Sequence, residues 1–159
     1  MAIKLKENPL VTALVGDSTT KLDSRIAFFG KTDELSCHLM KVRSLVNEDQ
    51  LKEELVKIVS TLSNIMGEVA KSKFKLSENE VEWIISLDNK YQENGGKLTK
   101  FVIPGQNIVS ADIHIARCKA REAELAYAKV YVEHGGNDYV FEYLNKLSTL
   151  LFAIALKYE

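Results

Sequence analysis

FVIPGQNIVSADIHIARCKAREAE, residues 101–124, joins a short apolar run to a long helical pattern through a Pro-Gly break. Within the pattern His114, Arg117, Arg121 and Glu124 recur at spacings of three, four and three, so on a helix they form one stripe. A second stripe, Ile113, Ala116, Ala120, Ala123, Tyr127 and Val130, is apolar or small. The two lie about 100° apart around the helix axis. The polar stripe therefore runs along the margin of a core, not on the outermost face. Two arginines there need anionic partners. Either the protein supplies carboxylates, as in an ion-pair network with Asp33 or Glu34, or a ligand supplies phosphates.

Outward from this stretch the chain reads as further helices. The helix holding the stripes spans about 107–133 and stops at His134-Gly135-Gly136. Asn137 or Asp138 caps a last helix carrying Val140, Leu144, Leu147, Leu151 and Ile154. Upstream, Thr32 is a suitable N-cap with Asp33 and Glu34 in the first turn, opening a helix to about Val46. A second helix covers roughly 49–72, with Leu51, Leu55, Ile58, Leu62, Ile65 and Val69 on one face. Ser77 and Glu80 form a capping box for a third, ended by Asn94-Gly95-Gly96. Residues 101–105 have no partner strand and read as an extended loop. The reading is an all-α, five-helix bundle of up-down topology, ferritin-like in outline, over residues 32–159, with residues 1–31 as an irregular N-terminal arm.

The 159 residues suit one domain. A hydrophobic share of 46% and a charged share of 27% are those of an ordinary globular protein. A formal net charge of −1 argues against a general nucleic-acid or membrane-surface role. Cys37 and Cys118 form no CxxC unit and read as free thiols, as expected in a reducing cytoplasm. No uninterrupted apolar run reaches the ~18 residues of a membrane span, and the N-terminus lacks the order of a secretory signal.

Several local matches to reactive motifs fail on inspection. Gly30-Lys31-Thr32 resembles the end of a phosphate-binding loop, but Arg25 stands where the first glycine belongs. Asp112-Ile113-His114 begins a cobalt-ligating pattern whose glycine position is Arg117. No Glu-x-x-His pair occurs, so no metal ligands are assigned. Asn145 recurs with core leucines and must find hydrogen bonds, either to a neighbouring helix or to a ligand's sugar or base.

Four segments in this order resemble the ATP:cob(I)alamin adenosyltransferases of the propanediol-utilisation type. They are Phe29-Gly30-Lys31-Thr32-Asp33-Glu34-Leu35-Ser36, Phe101-Val102-Ile103-Pro104-Gly105, His114-Ile115-Ala116-Arg117 with Arg121-Glu122-Ala123-Glu124, and Tyr143-Leu144-Asn145-Lys146-Leu147-Ser148-Thr149. The likeness covers residues 21–158. It implies a homotrimer with ATP and cobalamin meeting at subunit interfaces, a cytoplasmic location, and magnesium assisting the departure of triphosphate. A reductase or a B12-dependent enzyme is an expected partner. By the resemblance, Asp33 and Arg117 form a salt bridge across the interface and Arg121 contacts the ATP phosphates. Asn145 contacts the nucleotide, Glu124 supports the arginine stripe, and His114 lies beside the arginines. Phe101 covers the lower corrin face.

The family's opening T-R-T-G-D-x-G-x-T loop corresponds here to residues 13–20, where Gly16-Asp17 is kept as the ATP-binding remnant. Its arginine and second glycine are not kept. Glu122, Leu125 and Thr149 stand where the family carries Arg, Arg and Asp. The alternative reading is a corrinoid- or tetrapyrrole-binding protein of the same fold with weakened or lost ATP chemistry.

Overall fold

The computed structural model describes residues 2–95, 101 and 103–159. A β-hairpin, β1 (Val11–Leu14) and β2 (Asp17–Thr20), precedes five helices: α1 (Ser24–Leu45), α2 (Asp49–Val69), α3 (Glu78–Glu93), α4 (Ile108–His134) and α5 (Asp138–Lys157). The five-helix reading holds, and four of the helices lie within a turn of their expected bounds. Their ends follow from local chemistry. The Glu80 carboxylate accepts the Ser77 N–H at 2.9 Å. The side chain of Asn107 accepts from the Ser110 N–H at 3.0 Å, and that of Asn137 from the Tyr139 N–H at 3.0 Å. Gly135 ends α4 with φ +76°, a conformation that costs little without a Cβ. Phe101 and residues 103–107 lie in neither helix nor strand. Gly96 and Val102, expected in the third helix's stop and in the loop, fall outside the described residues.

The first helix departs from expectation. It begins at Ser24, and Thr32 is not a cap but a fully buried mid-helix residue. Asp23 is the N-cap, accepting the Arg25 N–H at 2.9 Å. Gly30 sits within the helix, where its ~1 kcal/mol disadvantage against alanine is outweighed by packing on either side. The arm is correspondingly shorter and partly ordered, since residues 11–20 pair as an antiparallel hairpin in the register Val11↔Thr20 to Leu14↔Asp17. Gly16 turns it at φ +70°.

α4 packs against α1 on one side and α5 on the other; α2 continues the layer beyond α1, and α3 beyond α5. The small stripe of α4 makes this close approach possible: Ile113, Ala116, Ala120 and Ala123 are fully buried. Phe28, Leu35 and Leu39 of α1 and Tyr143, Leu144, Leu147 and Leu151 of α5 fill the same core. By length and mean hydropathy α5 could cross a membrane, but half of its apolar window is buried in this core. Glu54 joins α2 to α3, accepting from Lys90 Nζ and the Tyr91 hydroxyl at 2.7 Å each.

Asp23 also ties the hairpin to the bundle. Its carboxylate accepts from the Thr19 hydroxyl at 2.7 Å, from Arg25 Nε at 3.0 Å and Nη2 at 2.7 Å, and lies 3.1 Å from His134 Nε2 at the end of α4. The Arg25 guanidinium, helped by the Arg25 N–H and the Thr19 hydroxyl, holds the carboxyl well below the usual carboxylate range despite burial. A depressed folded-state pKa stabilises the fold above the ordinary carboxylate range and is lost as pH falls through it. Asp23→Asn is therefore expected to lower the unfolding midpoint in urea at neutral pH, with the difference from wild type closing below about pH 4. A second prediction concerns the α4–α5 turn. A Cβ on Gly136 would meet the Tyr127 hydroxyl at 2.7 Å and Tyr131 Cδ2 at 2.8 Å. That hydroxyl already accepts the Asn137 N–H at 2.7 Å. Gly136→Ala should cost about 1–3 kcal/mol in urea unfolding.

Candidate functional site

α4 presents the polar stripe with burial that varies along its length, greatest at His114. His114 is buried, Arg117 and Glu124 are half-buried, and Arg121 is exposed. The variation follows from the packing of α4 between α1 and α5, which covers the stripe most fully at the Ile108 end. His114 Nε2 lies 2.9 Å from the Glu159 carboxylate, which can only accept, so that nitrogen carries the proton. Its ring also packs on Phe152, with centroids 5.9 Å apart.

Among the described residues these arginines find no carboxylate partner. Among the described residues no salt bridge includes Arg117 or Arg121. The guanidinium carbon of Arg117 instead lies 5.5 Å from the Phe152 ring centroid, a cation–π contact, and its buried Nε has no hydrogen-bond partner. The ion-pair network imagined with Asp33 or Glu34 is therefore absent from the single chain among the described residues. Glu34 is taken by Lys119 at 2.5 Å, which lowers its pKa through that hydrogen bond. Asp33 lies exposed on α1. Two cationic groups thus stand without a carboxylate partner among the described residues.

Asn145 differs from expectation as well. It is exposed on α5 and not set among the core leucines, and its Nδ2 donates weakly to Glu124 Oε1 at 3.4 Å. The structure so brings Asn145 and Glu124 together on the α4–α5 face. The Ser148 and Thr149 hydroxyls donate to the Asn145 backbone carbonyl at 2.8 and 3.1 Å. Phe101 is 90% exposed in the loop before α4. Gly16 and Asp17 occupy the exposed turn of the hairpin, where Asp17 accepts the Ser18 N–H at 2.7 Å. Among the described residues no hydrogen bond joins that turn to the arginine stripe.

Other residues around the site were not singled out in the sequence. On the α1 side Lys31 pairs with Glu122 at 3.1 Å, Glu34 with Lys119, and His38 and Lys41 with Asp112 at 3.2 and 3.0 Å. The descending order shows α1 and α4 to be antiparallel. Spacings of three and four on both helices carried a signal for this seam, but its register did not. Glu122, where the resembling family has arginine, is engaged by Lys31, whose pKa is raised by that bond. Phe152 and Glu159 contribute through packing between α4 and α5, for which the sequence holds no signal. Among the described residues no group of three His, Cys, Asp or Glu side chains could cage a metal ion.

Comparison with known proteins converges on one group. The sequence model of the cobalamin adenosyltransferase family matches residues 11–158. A corrinoid adenosyltransferase of Citrobacter freundii is 30% identical over 152 residues, covering 91% of this chain and 86% of its own. A corrinoid adenosyltransferase of Bacillus subtilis is 30% identical, covering 91% of this chain and 79% of its own. Among solved structures, a variant PduO-type ATP:corrinoid adenosyltransferase of Lactobacillus reuteri, complexed with cobalamin and ATP, matches with a TM-score of 0.84. The two are 27% identical over 92% of this chain and 87% of that one. Since the match runs from the hairpin through α5, it includes every element that carries a candidate residue. This chain belongs to the cobalamin adenosyltransferase family.

Proposed function

We infer that the protein transfers the 5′-deoxyadenosyl group of ATP to the cobalt of cob(I)alamin, giving adenosylcobalamin and triphosphate. The observation that carries this is the pair Arg117 and Arg121, without a carboxylate among the described residues, on a family fold whose relatives are corrinoid adenosyltransferases. The electron pair of Co(I) forms the bond to the ribose 5′-carbon, while the bond from that carbon to triphosphate breaks and its electrons leave with the phosphate. Such a displacement needs little from the protein beyond in-line positioning and a counter-charge for the leaving group.

Each residue has a role suited to its setting. Arg121, exposed and cationic, contacts the triphosphate. Asn145 and Glu124, already within 3.4 Å of one another, hold the nucleotide end. Gly16 and Asp17 retain part of a phosphate-binding turn. Phe101 supplies an apolar wedge against the lower corrin face, keeping water or a base off cobalt; loss of that ligand makes Co(II) easier to reduce. His114 orders the corrin side. Arg117 has its unpaired Nε ready for Asp33 of a neighbouring copy, in keeping with a homotrimer. Magnesium fits a largely hydrated ion held through phosphate oxygens, where it would offset leaving-group charge. A reductase supplies the electron, and the exposed thiols Cys37 and Cys118 suit a cytoplasmic setting.

The deciding assay is anaerobic: purified protein, chemically reduced cob(I)alamin, magnesium and ATP. Loss of the Co(I) absorbance band and a light-sensitive alkylcobalamin product are expected, at a rate well above the protein-free control. Corrin binding without product would instead identify a binding protein without ATP chemistry. Arg121→Ala should lower kcat/KM for ATP by about 10–100-fold, the scale of one charged hydrogen bond; full retention would remove it from the phosphate site. Mixing copies tests the shared site. Asp33→Ala and Arg117→Ala chains, each impaired alone, should regain activity when refolded together if these residues meet across a subunit interface. Unchanged, merely averaged activity would place both on one chain.

A further inference from the structure

We propose that Glu159 is a positioning residue: its carboxylate latches the loop that carries Phe101 to the α4–α5 core, and so sets the wedge for the corrin. This rests on the transferase reading above. Glu159 Oε1 accepts the Gly105 N–H at 2.9 Å and lies 2.9 Å from His114 Nε2, while Oε2 accepts the Gln106 N–H at 3.3 Å. One carboxylate thus binds two successive backbone donors of the loop and one ring on α4. Its side chain is 13% exposed and that of His114 8%, so little water competes for these bonds.

The surroundings make the latch specific. Gly105 adopts φ +82°, and a Cβ there would stand 3.3 Å from Ala111 Cα and Cβ. A side chain here would strain the backbone and press on Ala111, so glycine suits the loop's close approach to α4. Asn107 Nδ2 donates to the Tyr158 carbonyl at 2.6 Å, a second tie one residue along each strand of the contact. The Tyr158 hydroxyl in turn bonds Glu48 in the α1–α2 connection. A carboxylate at the start of α4 also faces the positive end of the helix dipole. Burial alone would push the Glu159 carboxyl up, but the Gly105, His114 and Gln106 donors outweigh it and hold the group ionised.

From the latch a packed path reaches the cationic stripe. His114 rests on Phe152, and Phe152 lies under the Arg117 guanidinium. Glu159 therefore fixes two parts of the corrin side together: the base of the Phe101 loop and, through the ring of His114, the platform for Arg117. Phe101 itself is 90% exposed, so the ties at Gly105 and Gln106 are the described bonds that bear on its position.

The test uses the full chain carrying Glu159→Ala or Glu159→Gln. Two readouts are taken: amide hydrogen exchange at Gly105 and Gln106, and the absorbance and paramagnetic-resonance spectra of bound cob(II)alamin with ATP, which report whether cobalt keeps its lower ligand. Exchange in Glu159→Ala should be faster by about tenfold or more, the scale of a lost charged hydrogen bond. The share of cobalt without a lower ligand should fall by a similar factor, with ATP affinity unchanged. Glu159→Gln, which keeps an acceptor oxygen and avoids the gap left by alanine, should recover most of both signals. Wild-type exchange in Glu159→Ala overturns the latch. Faster exchange with an unaltered cobalt spectrum overturns its positioning role. Failure of the wild-type protein itself to bind the corrin or shift its spectrum overturns the transferase reading and with it the role assigned to Glu159, an outcome seen without any variant.

Discussion

α4 has to satisfy two demands with one helix: bury a stripe of small residues between α1 and α5, and keep a cationic stripe only a third of a turn away accessible. Alanine at 116, 120 and 123 answers the first. Each is fully buried, and none adds bulk beyond Cβ, so α1 and α5 can close over the helix. The second follows from the first, because a narrow apolar stripe leaves the adjoining residues at the margin. A leucine or phenylalanine in place of any of these alanines would push a neighbour outward and move the arginines relative to Asn145 and Glu124. Core packing and site geometry are consequently one constraint.

Charge distribution obeys the same logic. Acids and bases on the α1–α4 seam neutralise one another in register, and Asp23 neutralises Arg25 at the bundle's end. Surface pairs of this kind add little stability individually. Their consequence here is local: they engage Glu34, Glu122 and Asp112 on α1 and α4, and no salt bridge among the described residues includes Arg117 or Arg121. A binding site for a polyanion needs uncompensated positive charge, and a protein of net charge −1 can have it only by compensating charge elsewhere.

Periodicity made most of this legible. Four helices and both stripes of α4 followed from apolar spacing and capping chemistry, since each depends on residues within a few positions of one another. The start of α1 was obscured because Thr32-Asp33-Glu34 satisfies every local rule for an N-terminus, while the true cap, Asp23, is read only once Thr19, Arg25 and His134 are brought to it. The hairpin escaped for a related reason: Asp17 to Thr20 lacks an apolar face, so its pairing has no sequence period. Asn145 shared the leucine spacing but falls on the opposite margin of α5, a matter of about one residue's rotation. Phe152 and Glu159 act across the α4–α5 contact, and no short-range pattern signals a partner dozens of residues away.

The antiparallel arrangement of α1 and α4 adds a spatial argument for how the site is completed. The Phe101 loop joins α4 at Ile108, and the hairpin is tied through Asp23 to His134 at the other end. These ends are about 40 Å apart along the helix axis. A strand of four residues reaches back by only about 13 Å. Within one chain the Gly16-Asp17 turn and the base of the Phe101 loop are therefore anchored at opposite ends of α4. In the homotrimer proposed above, a neighbouring copy would supply the other half, with its hairpin or its α1 laid against this chain's arginine stripe. The exposed Leu10, Val11 and Val15 on the arm fit such a placement, because an apolar ribbon with no cover in its own chain is stabilised by lying on another. The proposed shared site would account together for the orphaned Nε of Arg117, the exposed Asp33 and the exposed apolar residues of the arm.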